Sequence, residues 1–396
     1  MKRVLFVDDE LAVLDGLRDR LRKQRREWEM IFAQGGDAAL SECERGPFDV
    51  VVSDMRMPGM DGAQLLSRIK DAYPRTIRIV LSGHAERQAV IRALPVAHQY
   101  LSKPCDADML RGVIARALTL QSIMTDEPLR ELVGRVERLP SVSSIYTELT
   151  QVLAGESPSI DDVVAVVERD PAMCLKLLQV VNSAFFGLSR RVSAMRDAIA
   201  YLGIELVKSL VLAAQIFSAA EGTWRLDPGW LQTIQLHSTL VARTARAVAP
   251  DCAADAFMAG MLHDVGQILL AFVDDAWRSS VPESALHGGS PCHVVERERL
   301  GVTHAEVGAY ILGTWGLPLP IVIAVAGHHE PARFGVSSLD ATLAVHIAEG
   351  LVTATDQETP PAAPALDLGL LERLGLLKEL DGWRDRVLRL RSQGRE

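Results

Sequence analysis

Residues 48–62 read FDVVVSDMRMPGMDG, an apolar run that ends on Asp54 and is followed by a loop rich in methionine, proline and glycine. Three consecutive valines are typical of a strand that is buried on both faces of a parallel sheet. Four further β-rich runs, separated by helical patterns, precede residue 120: VLFV at 4–7, WEMIF at 28–32, TIRIVLS at 76–82 and HQYLS at 98–102. Strands that alternate with helices predict a five-stranded, parallel, doubly wound α/β domain over residues 1–120.

Polar side chains follow the predicted strands at their carboxyl ends, where ligands bind in doubly wound sheets. Asp8 and Asp9 follow the first strand, Asp54 ends the third, Ser82 ends the fourth, and Lys103 follows the fifth. Neighbouring carboxylates repel one another unless a cation lies between them, and oxygen ligands favour Mg²⁺ or Mn²⁺. A hydroxyl and an ammonium at the same edge suit a phosphoryl group, with Asp54 as the nucleophile. The alternative is that acidic residues end strands only because loops are polar.

The segments VLFVDDE, VVVSDMRMPGMDG, IVLSG and YLSKP, in this order, resemble the flavodoxin-like receiver domain of two-component response regulators. The resemblance implies a magnesium-dependent phosphorylation site of five residues: Asp8, Asp9, the phosphoacceptor Asp54, Ser82 and Lys103. It also implies that Tyr100 is an aromatic switch residue and that a sensor histidine kinase is a partner. The family usually has Gly-Ala before the fifth strand, where this chain has Ala97-His98.

The strand signal disappears near residue 120. Residues 121–139 read as a helical connector with an apolar stripe, and residues 140–350 predict an all-α domain. Residues 351–396 combine a Pro/Ala-rich linker at 354–366 with a leucine-rich helix. We expect that helix to pack back onto the helical domain, and a partner-binding or homodimer helix is the alternative.

Histidines concentrate in the second half, where eight of the ten lie after residue 230. The sharpest cluster is His263-Asp264, within AADAFMAGMLHDVGQILLAFV at 253–273. If this segment forms one helix, Asp264 shares an apolar face, where a carboxylate needs a cation or several hydrogen bonds. With His237 on a preceding amphipathic helix, the pattern predicts either a metal site between helices or a metal-free Asp–His network.

The order of His237 and His263-Asp264 resembles the HD superfamily of metal-dependent phosphohydrolases. Six segments between residues 130 and 350 are similar to the HDOD domain, an HD-related output module of bacterial signalling proteins: LPSVSSIYTELTQVL, ERDPAMCLKLLQVVNSAFFG, AIAYLG, MAGMLHDVGQILL, GVTHAEVGAYILGTWGLP and AGHHEP. HDOD domains are generally regarded as lacking demonstrated hydrolase activity. The resemblance therefore implies an output by protein–protein interaction with a downstream protein that the sequence does not identify.

A metal site remains the competing interpretation, since the HD resemblance implies seven candidate ligands for Fe, Mn or Zn: His237, His263, Asp264, His304, His328, His329 and Glu349. Glu349 stands where the HD pattern has aspartate, and EPARFG follows the histidine pair in place of the Gly-Tyr-Pro signature of the branch that hydrolyses cyclic-di-GMP. These departures predict weak metal occupancy and no robust hydrolysis. The alternative function is a phosphorylation-gated, metal-dependent phosphohydrolase.

Composition excludes several classes of function. A net charge of −9 gives no overall field that attracts nucleic acid. Five scattered cysteines without a CxxC pair predict a reducing, cytoplasmic environment and no disulfide framework. The first apolar run is too short for a signal peptide, and the most apolar window, at 209–217, is too short to cross a membrane.

Overall fold

The N-terminal part of the chain is built on one parallel sheet. The computed structural model describes residues 1–83, 93, 96–103, 105–123, 127–136, 140–141, 143–155, 158–183, 191–212, 218–219, 227–273, 292–356 and 366–393. The five strands of the sheet are β1 (Lys2–Asp8), β2 (Trp28–Gln34), β3 (Val50–Asp54), β4 (Ile77–Gly83) and β5 (Gln99–Lys103). They lie in the order β2–β1–β3–β4–β5, and every neighbouring pair is parallel. The predicted doubly wound fold is therefore confirmed.

Helices cover both faces of this sheet. They are α1 (Leu11–Arg20), α2 (Gly36–Glu44), α3 (Gly62–Ala72) and α4 (Ala107–Ile123), with a 3₁₀ helix at Arg22–Arg26. Because side chains alternate along a strand, Val4 and Phe6 belong to a core with residues of α1 and α4, whereas Leu5 and Val7 belong to a core with residues of α2 and α3. The second of these cores continues into the C-terminal part of the chain.

The described C-terminal residues are predominantly helical. The helices are α5 (Glu127–Arg135), α6 (Ser143–Ala154), α7 (Ile160–Val167), α8 (Pro171–Val181), α9 (Met195–Leu202), α10 (Ile204–Leu212), α11 (Pro228–Val248), α12 (Ala253–Leu262), α13 (Val265–Val273), α14 (Cys292–Leu300), α15 (His304–Thr314), α16 (Leu319–Gly327), α17 (Ala341–Asp356), α18 (Leu368–Arg373) and α19 (Leu380–Gln393). Short 3₁₀ helices lie at Pro250–Cys252, Pro331–Phe334 and Leu377–Glu379. A two-residue parallel bridge joins β6 (Pro140–Ser141) to β7 (Ser218–Ala219), which the sequence pattern does not predict.

The leucine-rich end of the chain lies against the helical domain, in the predicted arrangement. Helix α19 packs against α11 and α17, and Leu371 and Val387 are fully buried. Helix α17 extends to Asp356, so the first residues of the predicted linker at 354–366 are helical. Residues 357–365 of that linker lie outside the described residues.

All five cysteines are free thiols. Within the described parts of the chain, every helix is too short or too polar to span a bilayer.

Arg78 joins the receiver-like sheet to the connector helix. This arginine on β4 is buried, and its guanidinium donates to the carbonyls of Val96 at 2.6 Å and of Gly134 at 2.7 Å. Gly134 lies in α5, and a Cβ placed there would lie 1.8 Å from the carbonyl oxygen of Pro74. The connector therefore touches the sheet domain backbone to backbone, a contact that only glycine permits.

Replacing this glycine is expected to loosen the connector. Gly134→Ala should lower stability by about 1–3 kcal/mol, because a backbone carbonyl cannot yield the space that a methyl group needs. Gly112→Ala is the matched control, since Gly112 is exposed in α4 and an added Cβ there meets nothing within 4 Å. Unfolding midpoints in urea and proteolysis near residue 135 measure the effect. Equal midpoints for the two variants would contradict the proposed tight contact.

The start of β5 docks directly on the helical domain. The side chain of Gln99 donates to the carbonyl of Thr314, at the end of α15, over 2.9 Å. Gln179 on α8 donates to the carbonyl of His98 over 3.2 Å. Both amide side chains are buried, so the sheet domain and the helical domain share a closed interface at this point. His98, the departure noted in the sequence, lies inside it.

Candidate phosphorylation site and candidate metal centre

Asp8, Asp54 and Lys103 meet at the carboxyl edge of the sheet. The Lys103 ammonium lies 2.7 Å from Oδ2 of Asp8 and also contacts Oδ1 of Asp54. The remaining oxygens of the carboxylates accept backbone N–H bonds at 3.0 Å, from Glu10 to Asp8 and from Arg56 to Asp54. Both carboxylates are therefore fixed in orientation by their own loops.

The electrostatics of this edge favour a second cation. Burial raises the pKa of Asp54, and the hydrogen bond and charge of Lys103 oppose that shift only in part. Burial also works against the charge of Lys103, yet hydrogen bonds to Asp54 and Asp8 raise the pKa of its ammonium. A donor set made of carboxylate and backbone oxygens fits Mg²⁺, and the charge of such an ion would keep Asp54 ionised.

The other predicted residues of this site lie nearby. Asp9 follows Asp8 and is half-buried, and its carbonyl accepts a hydrogen bond from Gln34. Ser82 is buried on β4, one residue beyond Leu81, the cross-strand partner of Asp54. Tyr100 is turned inward on β5, where its hydroxyl donates to the carbonyls of Ala93 at 3.0 Å and Ala97 at 3.1 Å.

Seven candidate ligands converge within the helical domain from five places in the chain. His237 lies on α11, Glu349 on α17, His304 begins α15, His328 and His329 follow α16, and His263 and Asp264 lie in the break between α12 and α13. Thr303 and Glu306 form a capping box, which starts α15 at His304. The structure therefore brings together every residue of the predicted set.

The first half of this cluster surrounds Glu349. Its Oε2 lies 2.8 Å from Nε2 of His237 and 3.3 Å from Nε2 of His263. Oδ2 of Asp264 lies 3.3 Å from the same nitrogen of His263. The side chain of Glu349, where the HD pattern has aspartate, thus reaches both histidines, and its second oxygen accepts from the hydroxyl of Thr353 at 3.0 Å.

The second half consists of His304, His328 and His329, whose ligand atoms also lie within one metal-sized group. Nε2 of His304 lies 2.9 Å from Nε2 of His329 and 3.3 Å from Oδ1 of Asp264. Asp264 therefore turns one oxygen to each half of the cluster. If each half held a cation, Asp264 could contribute one oxygen to each of them.

The buried histidines fit a metal because their ring nitrogens are oriented for one. Nδ1 of His263 lies 2.7 Å from the carbonyl of Gly260, and Nδ1 of His328 lies 2.7 Å from the carbonyl of Val325. Each ring must therefore carry a proton on Nδ1, so that the neutral form of the ring has its lone pair on Nε2. Both Nε2 atoms are buried and make no well-formed hydrogen bond among the described residues, and that of His263 has only its 3.3 Å contacts with Asp264 and Glu349. A metal-free network would satisfy these atoms, whereas metal ligands need them unprotonated and open.

The field of the carboxylates draws positive charge into the first half. Burial disfavours the charged form of His263, but the charges of Asp264 and Glu349 raise its pKa well above the usual value. Away from these carboxylates, burial lowers the pKa of His328 to about 3. The cluster therefore contains a place where a cation is stabilised and, beside it, neutral imidazoles that can ligate one.

One local prediction was wrong, because residues 253–273 do not form a continuous helix. The chain breaks at His263-Asp264, between α12 and α13, although the apolar pattern is uninterrupted. A Cβ on Gly266 would lie 1.9 Å from the carbonyl oxygen of His304, so α13 meets the start of α15 backbone to backbone. The break turns both side chains of the His-Asp pair toward the cluster.

Two further residues support the cluster, and the sequence pattern does not single them out. Glu296 on α14 is fully buried and lies 2.7 Å from Nδ1 of His304. His346 on α17 donates from Nδ1 to the carbonyl of His328 over 2.8 Å and accepts from the backbone N–H of Asp367. A glutamate in the polar sequence CHVVERERL reads as a solvated helix face, so only the fold reveals its position.

Comparison with protein families gives the same two-part division. Residues 4–115 match the response regulator receiver domain, and residues 139–331 match the HDOD domain. The fold, the carboxyl edge of the sheet and the histidine cluster between the helices thus agree with a receiver domain joined to an HD-type helical domain. The chain is a two-component response regulator of the receiver–HDOD architecture, as the resemblance predicted.

Individual relatives share parts of this chain. An uncharacterized protein of Treponema pallidum is 23% identical over 64% of this chain and 50% of its own length. The response regulator protein FleR of Pseudomonas aeruginosa is 31% identical over 41% of this chain and 35% of its own length. The chain thus spans half or less of these curated relatives. The crystal structure of the MmoQ response regulator from Methylococcus capsulatus is 24% identical, with a TM-score of 0.47 over 63% of this chain and 98% of that one.

Proposed function

We propose that this response regulator receives a phosphoryl group on Asp54 from a partner histidine kinase and passes the change to a metal-containing HDOD domain. The receiver occupies residues 1–120, the connector 121–139 and the HDOD domain 140–350. The observation that supports the first step is the shared position of Lys103 between Asp8 and Asp54. An incoming phosphoryl group needs a carboxylate nucleophile and positive charge beside it, and Mg²⁺ would add charge at the same edge.

The contact between β5 of the receiver and the helical domain supports the second step. Phosphorylation would draw Ser82 toward the phosphoryl oxygens and free space for Tyr100 to rearrange on β5. Gln99, its neighbour, holds the last residue of α15. That helix spans 11 residues, roughly 16 Å, and its first residue is His304. One rigid element thus connects the receiver to a candidate metal ligand.

Removing the Gln99 contact is expected to uncouple the domains. Gln99→Ala should leave phosphorylation of Asp54 unchanged but abolish the change in hydrogen exchange of α15 that a beryllofluoride phosphoryl mimic produces. The buried carbonyl of Thr314 loses its partner, which costs about 1–3 kcal/mol locally. Gln24→Ala, beside the opposite edge strand β2, is the control. A wild-type response in Gln99→Ala would exclude this route.

For the output we propose a metal-dependent phosphohydrolase that acts on a phosphate ester or nucleotide. This proposal rests on two buried nitrogen atoms, Nε2 of His263 and Nε2 of His328, which lack well-formed hydrogen bonds within the described chain. Seven nitrogen and oxygen ligands of this kind suit Fe, Mn or Zn. A bound ion would supply positive charge that polarises a phosphoryl oxygen. Asp264 and Glu349 would hold it, and the histidines would set its geometry.

The site is also open on one side, as catalytic metal sites are. The side chains of His237 and Glu349 are each 21% exposed to solvent, whereas the side chain of His263 is fully buried. Structural metal sites are closed by protein ligands, while catalytic sites keep a position for substrate. Solvent therefore reaches the cluster from the α11–α17 side, next to the proposed ions.

Metal analysis and turnover of the full-length protein test this output. The sequence departures alone predict weak metal occupancy and no robust hydrolysis. Because the structure brings all seven candidate ligands together, we instead expect bound Fe, Mn or Zn after purification, and hydrolysis of p-nitrophenyl phosphate or its bis-ester when Mn²⁺ or Fe²⁺ is added. Cyclic-di-GMP is not the expected substrate, since the Gly-Tyr-Pro signature is missing. Metal without turnover would favour the second candidate, an HDOD domain that regulates a downstream protein by binding it. A pull-down with and without beryllofluoride would then identify that partner.

A further inference from the structure

Glu296 is a buried carboxylate that lies outside the seven candidate ligands. Its Oε2 lies 2.7 Å from Nδ1 of His304 and accepts the backbone N–H of the same residue over 2.8 Å. Its Oε1 accepts from the thiol of Cys292 over 3.3 Å. A carboxylate with no exposed surface is tolerated only where such partners stabilise it, and two of these three contacts come from His304.

These contacts set the orientation of the His304 ring. With Nδ1 held by Glu296, Nε2 points to Asp264 at 3.3 Å and to His329 at 2.9 Å. His263 and His328 are held at Nδ1 by backbone carbonyls instead. A carboxylate partner also makes the imidazole a stronger electron donor to a metal than a neutral carbonyl does.

We propose that Glu296 is a positioning residue of the metal centre, which fixes the proton of His304 on Nδ1 and strengthens its Nε2 as a ligand. The inference rests on the proposed metal centre. It gives the second half of the cluster a buried negative charge, that of Glu296, which holds the His304 ring in place. Glu296 itself does not touch the ion. Cys292 in turn holds Glu296 and keeps its Oε1 away from the histidine.

Cobalt titration of the full-length, chelator-treated protein tests this role without any assay of activity. Excess Mg²⁺ in the buffer occupies the receiver site, and the visible absorption of Co²⁺ reports binding in the HDOD domain. Glu296→Gln keeps the shape but not the charge, and we expect Co²⁺ affinity to fall about 10–100-fold. Glu298→Gln, an exposed carboxylate on the same helix, should bind as the wild type does.

A double-mutant cycle separates positioning from a general charge effect. In a His304→Gln background, Glu296→Gln should cause no further loss of Co²⁺ affinity, because the residue acts through His304. Glu296→Asp retains the buried charge but withdraws it from Nδ1, so it should also weaken binding even if Glu296→Gln folds poorly.

Four results would overturn the inference. Unchanged affinity in Glu296→Gln, or an equal loss in the His304→Gln background, would remove the positioning role. A thiolate-to-cobalt charge-transfer band would instead make Cys292, Glu296 and His304 direct ligands of an ion. A wild-type protein that binds no Co²⁺ would refute the metal centre itself, which distinguishes that failure from the other three.

Discussion

Asp54→Asn is expected to abolish phosphorylation. Incubation of the wild type with Mg²⁺ and acetyl phosphate should add one base-labile phosphoryl group per chain, and the variant should remain at background. Asparagine is nearly isosteric and can keep the contact with Lys103, but its amide cannot form an acyl phosphate. Intact-mass spectrometry measures the added group.

The matched control is Asp71→Asn, an exposed carboxylate on α3 that should be phosphorylated as the wild type is. Circular dichroism should show the same fold for both variants. Equal labelling of Asp54→Asn and the wild type would place the acceptor elsewhere and refute the proposed first step.

His263→Ala is expected to remove the metal from the HDOD domain, together with any metal-dependent turnover. The ring supplies one ligand and orders Asp264 and Glu349 around it, at 3.3 Å from each. In the wild type, metal at 100-fold excess over its dissociation constant should stabilise the fold by about 2.7 kcal/mol, and a chelator should reverse this. The variant should show no such metal-dependent shift in its unfolding midpoint.

Stability alone does not decide this prediction, because deleting His263 also leaves Asp264 with one partner fewer. Met258→Ala is therefore the comparison, since Met258 is fully buried on α12, the helix that ends just before His263, and contributes only to the core. We expect it to lose about 2–5 kcal/mol and to keep its metal. Metal retained in His263→Ala, measured by plasma mass spectrometry, would exclude His263 as a required ligand, whereas a wild type that holds no metal would show that the cluster is a polar network.

Local patterns predicted the sheet well because its signals are short-range. Each strand is an apolar run between polar residues, and the side chains at the carboxyl ends need only the parallel topology to come together. The convergence of His237, His263, His304 and Glu349 was predicted from family resemblance, whereas spacing alone left the metal undecided. The orientation of the Nε2 atoms that now favours it depends on carbonyls of Gly260 and Val325, which no spacing encodes.

Three features escaped prediction because tertiary contacts decide them. The α12–α13 break interrupts a continuous apolar pattern, and the close approach of Gly266 to His304 accompanies it. Arg78 stands in an ordinary β run, yet it is buried under the connector. Glu296 lies among charged neighbours and becomes significant only through His304. In each case the deciding contact joins the residue to another element of the structure, so the local sequence does not predict it.

The buried amides of Gln99 and Gln179 fasten the helical domain to β5, so this domain competes with any other protein for the same surface. Domains joined by a connector of fewer than twenty residues meet at an effective concentration on the order of millimolar. To bind the β5 edge, another protein or a second copy of the chain would have to displace the tethered helical domain. Free receiver added in trans should therefore gain little access at cellular concentrations. Under the proposed mechanism, the cognate kinase and any downstream target would therefore be recognised on surfaces that the tethered domain leaves uncovered, or only after phosphorylation has separated the two domains.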